Sequence, residues 1–207
     1  MADLFPRTIE TERLRFEPRS TDGIDARELY RICSADPGIE DVTRHVPWDP
    51  HEHPRETEAF LERGDEHREE ASAAGYVLRP RDGEDGAGEM AGFTGIQVDW
   101  GRRRGDLGLW LRRRFWGRGY SGERATALVE LAFDRLDLEV VTVGHEPGNA
   151  RSERAITKYV DRFGGRRDGR FRNRHATPDG AVTDLVRYSI SRGEWHDATG
   201  GGTAVLD

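Results

Sequence analysis

The sequence predicts a mixed α/β domain in which an antiparallel meander runs into one parallel β-α-β unit and a hairpin closes the sheet. Three observations carry this. Strand-like segments at 76–79, 90–98 and 104–111 follow one another through short connections, the pattern of antiparallel neighbours. The stretch from Gly119 to Leu136 then sets Ala125, Leu128, Val129, Ala132, Phe133 and Leu136 at helical spacing, so one helix face has to pack on the sheet. Glu139 to Gly144 follows at once as a buried strand, and strand, helix, strand at this spacing is a parallel unit.

The elements follow in order. Residues 12–18 alternate Leu14 and Phe16 with charged neighbours and stop at Pro18, which marks a first strand. Asp22 to Ala35 carries Ile24, Leu29 and Ile32, with Asp22 as the expected N-cap, and Asp36-Pro37-Gly38 ends that helix. Residues 39–54 hold Pro47, Pro50, Pro54, His45, His51 and His53 and are expected as loop. Glu56 to Ala71 reads as a polar helix with Phe60 and Leu61 inward, and Asp82 to Gly88 as a flexible hairpin tip without chemistry. A helix over Asn149 to Tyr159 stops at Gly164-Gly165, and Arg166 to Arg174 pairs with Val182 to Ser191 across Pro178-Asp179-Gly180. A chain of 207 residues accommodates one well-buried core, so a single domain is expected over 1–197, with a flexible tail over 198–207.

Composition narrows the class further. Acids outnumber bases by 39 to 32, giving a net charge of −7, yet eight arginines fall between Arg102 and Arg124 while Asp49 to Glu89 is acid-rich. Lys158 is the only lysine, which suggests a GC-rich and salt-tolerant source. Cys33 stands alone and is expected in a helix core, with no disulfide and no acyl-cysteine. No stretch approaches the roughly 18 apolar residues of a membrane span, and the first residues carry no signal-peptide core. A soluble, cytoplasmic protein without a membrane or nucleic-acid partner is expected, with homodimerisation left open.

The segment around which the rest is organised runs from Asp106 to Gly122. Its strand leads into a basic turn whose glycines, Gly117, Gly119 and Gly122, lie where the amphipathic helix begins. Glycines let backbone N–H groups approach a ligand without a Cβ in the way, and a helix start offers unpaired N–H groups. Together they make an anion cradle that suits a diphosphate. The string Arg114-Phe115-Trp116-Gly117-Arg118-Gly119 reads R-x-x-G-x-G. It resembles the acetyl-CoA pyrophosphate loop of the GNAT N-acetyltransferases. Trp110-Leu111, Tyr120 and the opening Glu10-Thr11-Glu12-Arg13-Leu14 are most similar to the RimJ/RimL-type branch, which acetylates protein N-terminal amines. One β-α unit on, Asn149-Ala150-Arg151-Ser152 resembles the family's N-x-x-S element.

The resemblance, running from about Glu10 to Tyr188, implies a GNAT fold: a mostly antiparallel mixed sheet that splays at its centre, with acetyl-CoA as cosubstrate. It implies that the pantetheine arm pairs with the backbone at Trp110, Leu111 and Arg112. The phosphates would meet Arg112, Arg114 and Arg118 and the turn formed by Trp116, Gly117, Gly119, Tyr120 and Ser121. Asn149 reads as a helix N-cap, a ligand contact, or both. Ser152 reads as general acid for the departing thiolate or as a serine bonded to local backbone. Asp106 is the leading general base, against an ion pair with a neighbouring arginine; His145 is the next, against a satisfied strand-end histidine. Ile156 occupies the position of the acid tyrosine found in many relatives, and Tyr159 reads as packing. The histidines of the 39–54 loop lack a cysteine partner, so no metal is expected.

Rival functions are weighed on the same residues. Gly117, Gly119 and Gly122 also satisfy G-x-G-x-x-G, but Glu139 precedes its strand rather than ending it, which opposes an NAD-dependent oxidoreductase. The arginines are not interleaved with stacking aromatics, which opposes a nucleic-acid binder. An acyl-CoA sensor without catalysis, and acceptors such as an aminoglycoside or polyamine, stay open beside the protein N-terminus.

Overall fold

The computed structural model describes residues 4–176 and 182–200. Its elements are β1 (Ile9–Glu10), β2 (Leu14–Pro18), α1 (Ala26–Ala35), α2 (Ile39–Thr43), α3 (Pro54–Glu69), β3 (Ala73–Pro80), β4 (Gly92–Asp99) and β5 (Arg104–Leu111). Then come α4 (Tyr120–Glu130), β6 (Val140–His145), α5 (Ala150–Arg162), β7 (Arg166–Ala176), β8 (Val182–Ser191) and α6 (Arg192–Thr199). All eight strands form one sheet, ordered β1-β2-β3-β4-β5-β6-β8-β7, in which only β5 and β6 run parallel. The mixed α/β expectation holds, including the crossover through α4.

Alternation along the strands gives the sheet two apolar faces. One packs Phe16, Tyr76, Leu107 and Val141 against Leu128 of α4, Ile156 and Val160 of α5 and Trp195 of α6. The other packs Val77 and Phe93 against Leu29 of α1 and Leu61 of α3, with Trp48, Phe60 and Trp110 at its edge. Phe93 stacks on Trp110 with ring centroids 5.4 Å apart, and Trp48 closes on Trp110 at 5.2 Å.

Several boundaries differ from the sequence reading for local reasons. Helix α1 starts later, because Asp25 rather than Asp22 accepts the N–H of Arg27 and caps it. The 39–54 segment is not all loop, since Ile39 and Val42 are buried and drive the short helix α2. The tail expectation fails at its start: Ala198 and Thr199 belong to α6, which a capping box between Ser191 and Glu194 initiates and the buried Trp195 anchors. The Pro178-Asp179-Gly180 turn and residues 201–207 lie outside the described residues.

Candidate active site

Strands β5 and β6 pair only from Arg104↔Val140 to Leu107↔Val143. Beyond that point β5 stays registered on β4 as far as Leu111, while β6 follows β8 through His145. The two parallel strands therefore part, and Gly108 to Leu111 faces an opening rather than a neighbour. A cleft of about 2890 Å³ occupies this opening, lined by Asp106, Trp110, Leu111 and the glycine turn on one side and by His145, Asn149 and Ser152 on the other.

Helix α4 begins at the mouth of the cleft with no side chain capping it. Gly119 occupies the N-cap with φ +83° and Gly117 turns with φ +78°, conformations that cost a residue with a Cβ about 1–2 kcal/mol. The Gly122 and Glu123 N–H groups return to the Gly119 carbonyl, so among the described residues those of Tyr120 and Ser121 are the ones left for a ligand, with the positive end of the macrodipole behind them. Two residues that the sequence reading missed hold this turn. Arg13 donates to the Arg118 carbonyl at 2.9 Å and to Glu123 Oε2 at 2.8 Å, and Thr11 donates to Glu123 Oε1 at 2.6 Å. The Glu10–Leu14 opening thus ties a sheet strand to the first turn of α4. The Trp116 indole donates to the Leu111 carbonyl at 2.8 Å, and Arg151 lies 4.4 Å over its ring.

The arginines expected on the phosphates are already partnered. Arg112 donates to Asp36 and to the Met90 carbonyl, and Arg114 forks onto Glu89, so neither lines the cleft. Arg118 does line it but pairs with Asp85, while Tyr120 donates its hydroxyl to Glu84 at 2.7 Å. The 82–88 tip is therefore an acidic clasp over the turn, not an inert loop. The Arg118 hydrogen bond and charge hold the Asp85 carboxyl below the usual range, so it stays ionised at neutral pH. Asp85→Asn is expected to release Arg118 and tighten the binding of an anion such as pyrophosphate at the turn severalfold, more at low salt than at high. Titration calorimetry at two ionic strengths checks both signs.

The candidate catalytic groups differ in how free they are. Asn149 caps α5 by accepting the Ser152 N–H at 3.1 Å, which leaves its amide donors unspent. The Ser152 hydroxyl makes no hydrogen bond among the described residues and borders the cleft. Asp106 has both oxygens engaged, one by the Thr142 hydroxyl and the other by Arg104 at 3.2 Å. His145 is 6% exposed, with Nδ1 on the Glu146 carbonyl at 2.9 Å and Nε2 facing the Tyr188 hydroxyl at 3.4 Å. Ile156 and Tyr159 are both buried, and burial pushes the Tyr159 hydroxyl above its ordinary range. Burial, reinforced by Asp36, pushes the Cys33 thiol up to about 12, far from the thiolate a nucleophile needs.

The 39–54 histidines each have their own partner: His45 meets Glu146, His51 meets Thr57, and His53 meets Glu56. Among the described residues no three metal-ligating side chains converge. Glu139, ahead of β6, is ion-paired with Arg103 at 2.9 Å, so it is not set up to hold a nucleotide ribose.

Comparison with known proteins agrees with this geometry. The family described as Acetyltransferase (GNAT) domain matches residues 13–159. A Bacillus subtilis protein named as a ribosomal N-acetyltransferase, YdaF, is 30% identical over 111 residues, covering 52% of this chain and 57% of its own length. An Aspergillus fumigatus protein named FsC-acetyl coenzyme A-N(2)-transacetylase is 33% identical over 97 residues, covering 44% of this chain and 38% of its own. The matched region thus spans less than two thirds of either relative. A structure from T. thermophilus named as an acetyltransferase superposes with a TM-score of 0.71 at 25% identity, covering 95% of both chains.

Proposed function

Since this chain belongs to the GNAT acetyltransferase family, we propose that it transfers the acetyl group of acetyl-CoA directly to a primary amine, with a protein N-terminus as the acceptor. The observation that carries the proposal is the parting of β5 from β6 beside an uncapped, glycine-led helix start. An extended pantetheine arm can take hydrogen bonds from the free side of Gly108 to Leu111 as a strand would. The diphosphate then reaches the α4 N–H groups. Gly117 and Gly122 suit that approach, since a Cβ built on either would meet nothing within 4 Å. Arg118 and Arg151 border the same mouth and are among the cations lining it that could meet phosphate.

The thiolate released on transfer needs a proton, and the unspent Ser152 hydroxyl supports a role as its donor. Ser152→Ala is expected to slow turnover by about 10²-fold, at the low end of general-acid effects because water can substitute. Steady-state kinetics should give an unchanged KM for acetyl-CoA; a raised KM with full turnover would make Ser152 a binding residue instead.

The acceptor is tested by turnover with a panel of N-terminal peptides and small amines. Preference for peptides with a free N-terminus is expected, and acetylation of small amines alone would replace this reading. That second reading has its own support in the N(2)-transacetylase relative.

A further inference from the structure

We propose that His45, oriented by Glu146 and Thr183, is the group that takes the proton from the acceptor amine. The inference rests on the acetyl-transfer reading above. His45 follows α2, in a segment whose chemistry cannot be seen from its own sequence, and it lines the cleft together with Glu146, which follows β6. Its Nδ1 lies 3.0 Å from Glu146 Oε2, while Glu146 Oε1 accepts the Thr183 hydroxyl at 3.0 Å. An ionised carboxylate can only accept, so Nδ1 carries the hydrogen and Nε2 keeps its lone pair. Nε2 makes no hydrogen bond among the described residues, and the ring is 30% exposed. A carboxylate that fixes the imidazole tautomer and stabilises the imidazolium is the recurring design of a general base.

The two bases expected from the sequence are already engaged. Both oxygens of Asp106 and both ring nitrogens of His145 already have partners. Of the charged groups near His45, Arg44 and Arg113 are tied to Asp41 at 3.1 and 2.8 Å, so Glu146 is the charge in direct contact with the ring.

The proton count is consistent. An alkylammonium loses one proton before its nitrogen attacks the thioester carbon. It loses a second as the C–N bond is completed and the C–S bond breaks. One proton ends on the CoA sulfur and the other leaves to solvent. His45 Nε2 accepts a proton and, being partly exposed, passes it on.

His45→Gln should keep acetyl-CoA affinity and melting temperature while turnover falls about 10²-fold, with partial recovery as pH is raised. Glu146→Gln leaves the imidazole without its orienting carboxylate, so kcat should fall, by less than in His45→Gln, at an unchanged KM for acetyl-CoA, and Glu146→Asp should restore part of it. A purely structural role would move KM and melting temperature together with kcat. The assignment is overturned if His45→Gln keeps wild-type turnover and profile, or if Asp106→Asn alone shows the 10²-fold loss. Should the wild type bind acetyl-CoA yet acetylate no amine, the transfer reading itself fails, and this assignment falls with it.

Discussion

Gly119→Val is expected to abolish stabilisation by acetyl-CoA. The wild type, at a hundredfold excess of ligand over Kd, should gain about 2.7 kcal/mol, which in a domain of this size is roughly 5–10 °C in Tm. The variant should gain almost nothing. Gly119 sits at φ +83°, where a β-branched side chain is strained, and the first Cβ would lie 3.3 Å from Arg13 Nη2. Arg13 cannot swing away freely, because it grips Glu123 and the Arg118 carbonyl. Relief therefore has to come from the helix start, the one place where N–H groups must keep their aim. Equal thermal shifts in the two proteins would remove the diphosphate from this turn.

The second large effect is on the fold. Gly92→Ala should cost about 3 kcal/mol or more, seen as a drop of roughly 6–12 °C in ligand-free Tm. A Cβ at Gly92 would stand 2.2 Å from the Trp110 carbonyl oxygen and 2.7 Å from the Leu111 Cα, and its φ of +152° suits glycine. Those atoms are backbone of β5, so the clash cannot be relieved by turning a side chain. The two strands have to separate where the cofactor strand ends. Gly108→Ala is the control, because a Cβ there meets nothing within 4 Å. It should stay within about 0.5 kcal/mol of wild type. If both variants melt alike, the Gly92↔Leu111 register is wrong.

What the sequence made legible was local and periodic. Strand β5 falls on Arg104–Leu111 as expected, because its apolar alternation ends against a glycine turn. Asn149 caps α5 because its side chain reaches only three residues along the chain. The misses share another cause. Glu123 is held by Thr11 and Arg13 across about a hundred residues, and Arg112 is taken by Asp36 across 76, pairings for which no nearby residue gives a signal. Charge pairing of this kind also turned the composition-based flexible tip into a clasp. His45 carries no signal of its own for the same reason, since its meaning comes from Glu146, 101 residues away. Helix α6 is a different case. Its capping box is readable in Ser191-Arg192-Gly193-Glu194, but the glycines that follow set the expected start of the tail at Ala198, two residues before the helix ends.

The parting of β5 from β6 also bears on how the molecule behaves when CoA is scarce. From Gly108 to Leu111 the strand has a partner on one side only. Proteins usually guard such rims with charges or bulges, because an open row of N–H and C=O groups is a template for a foreign strand. Here the rim lies inside the sheet and is flanked by Leu109 and Trp110, both half-buried. A pantetheine arm in that slot would act as a stopper against self-association as well as a substrate. Starved of CoA, the chain should turn sticky before it loses its fold, and the reversibility of the melts above, with and without acetyl-CoA, reads that difference.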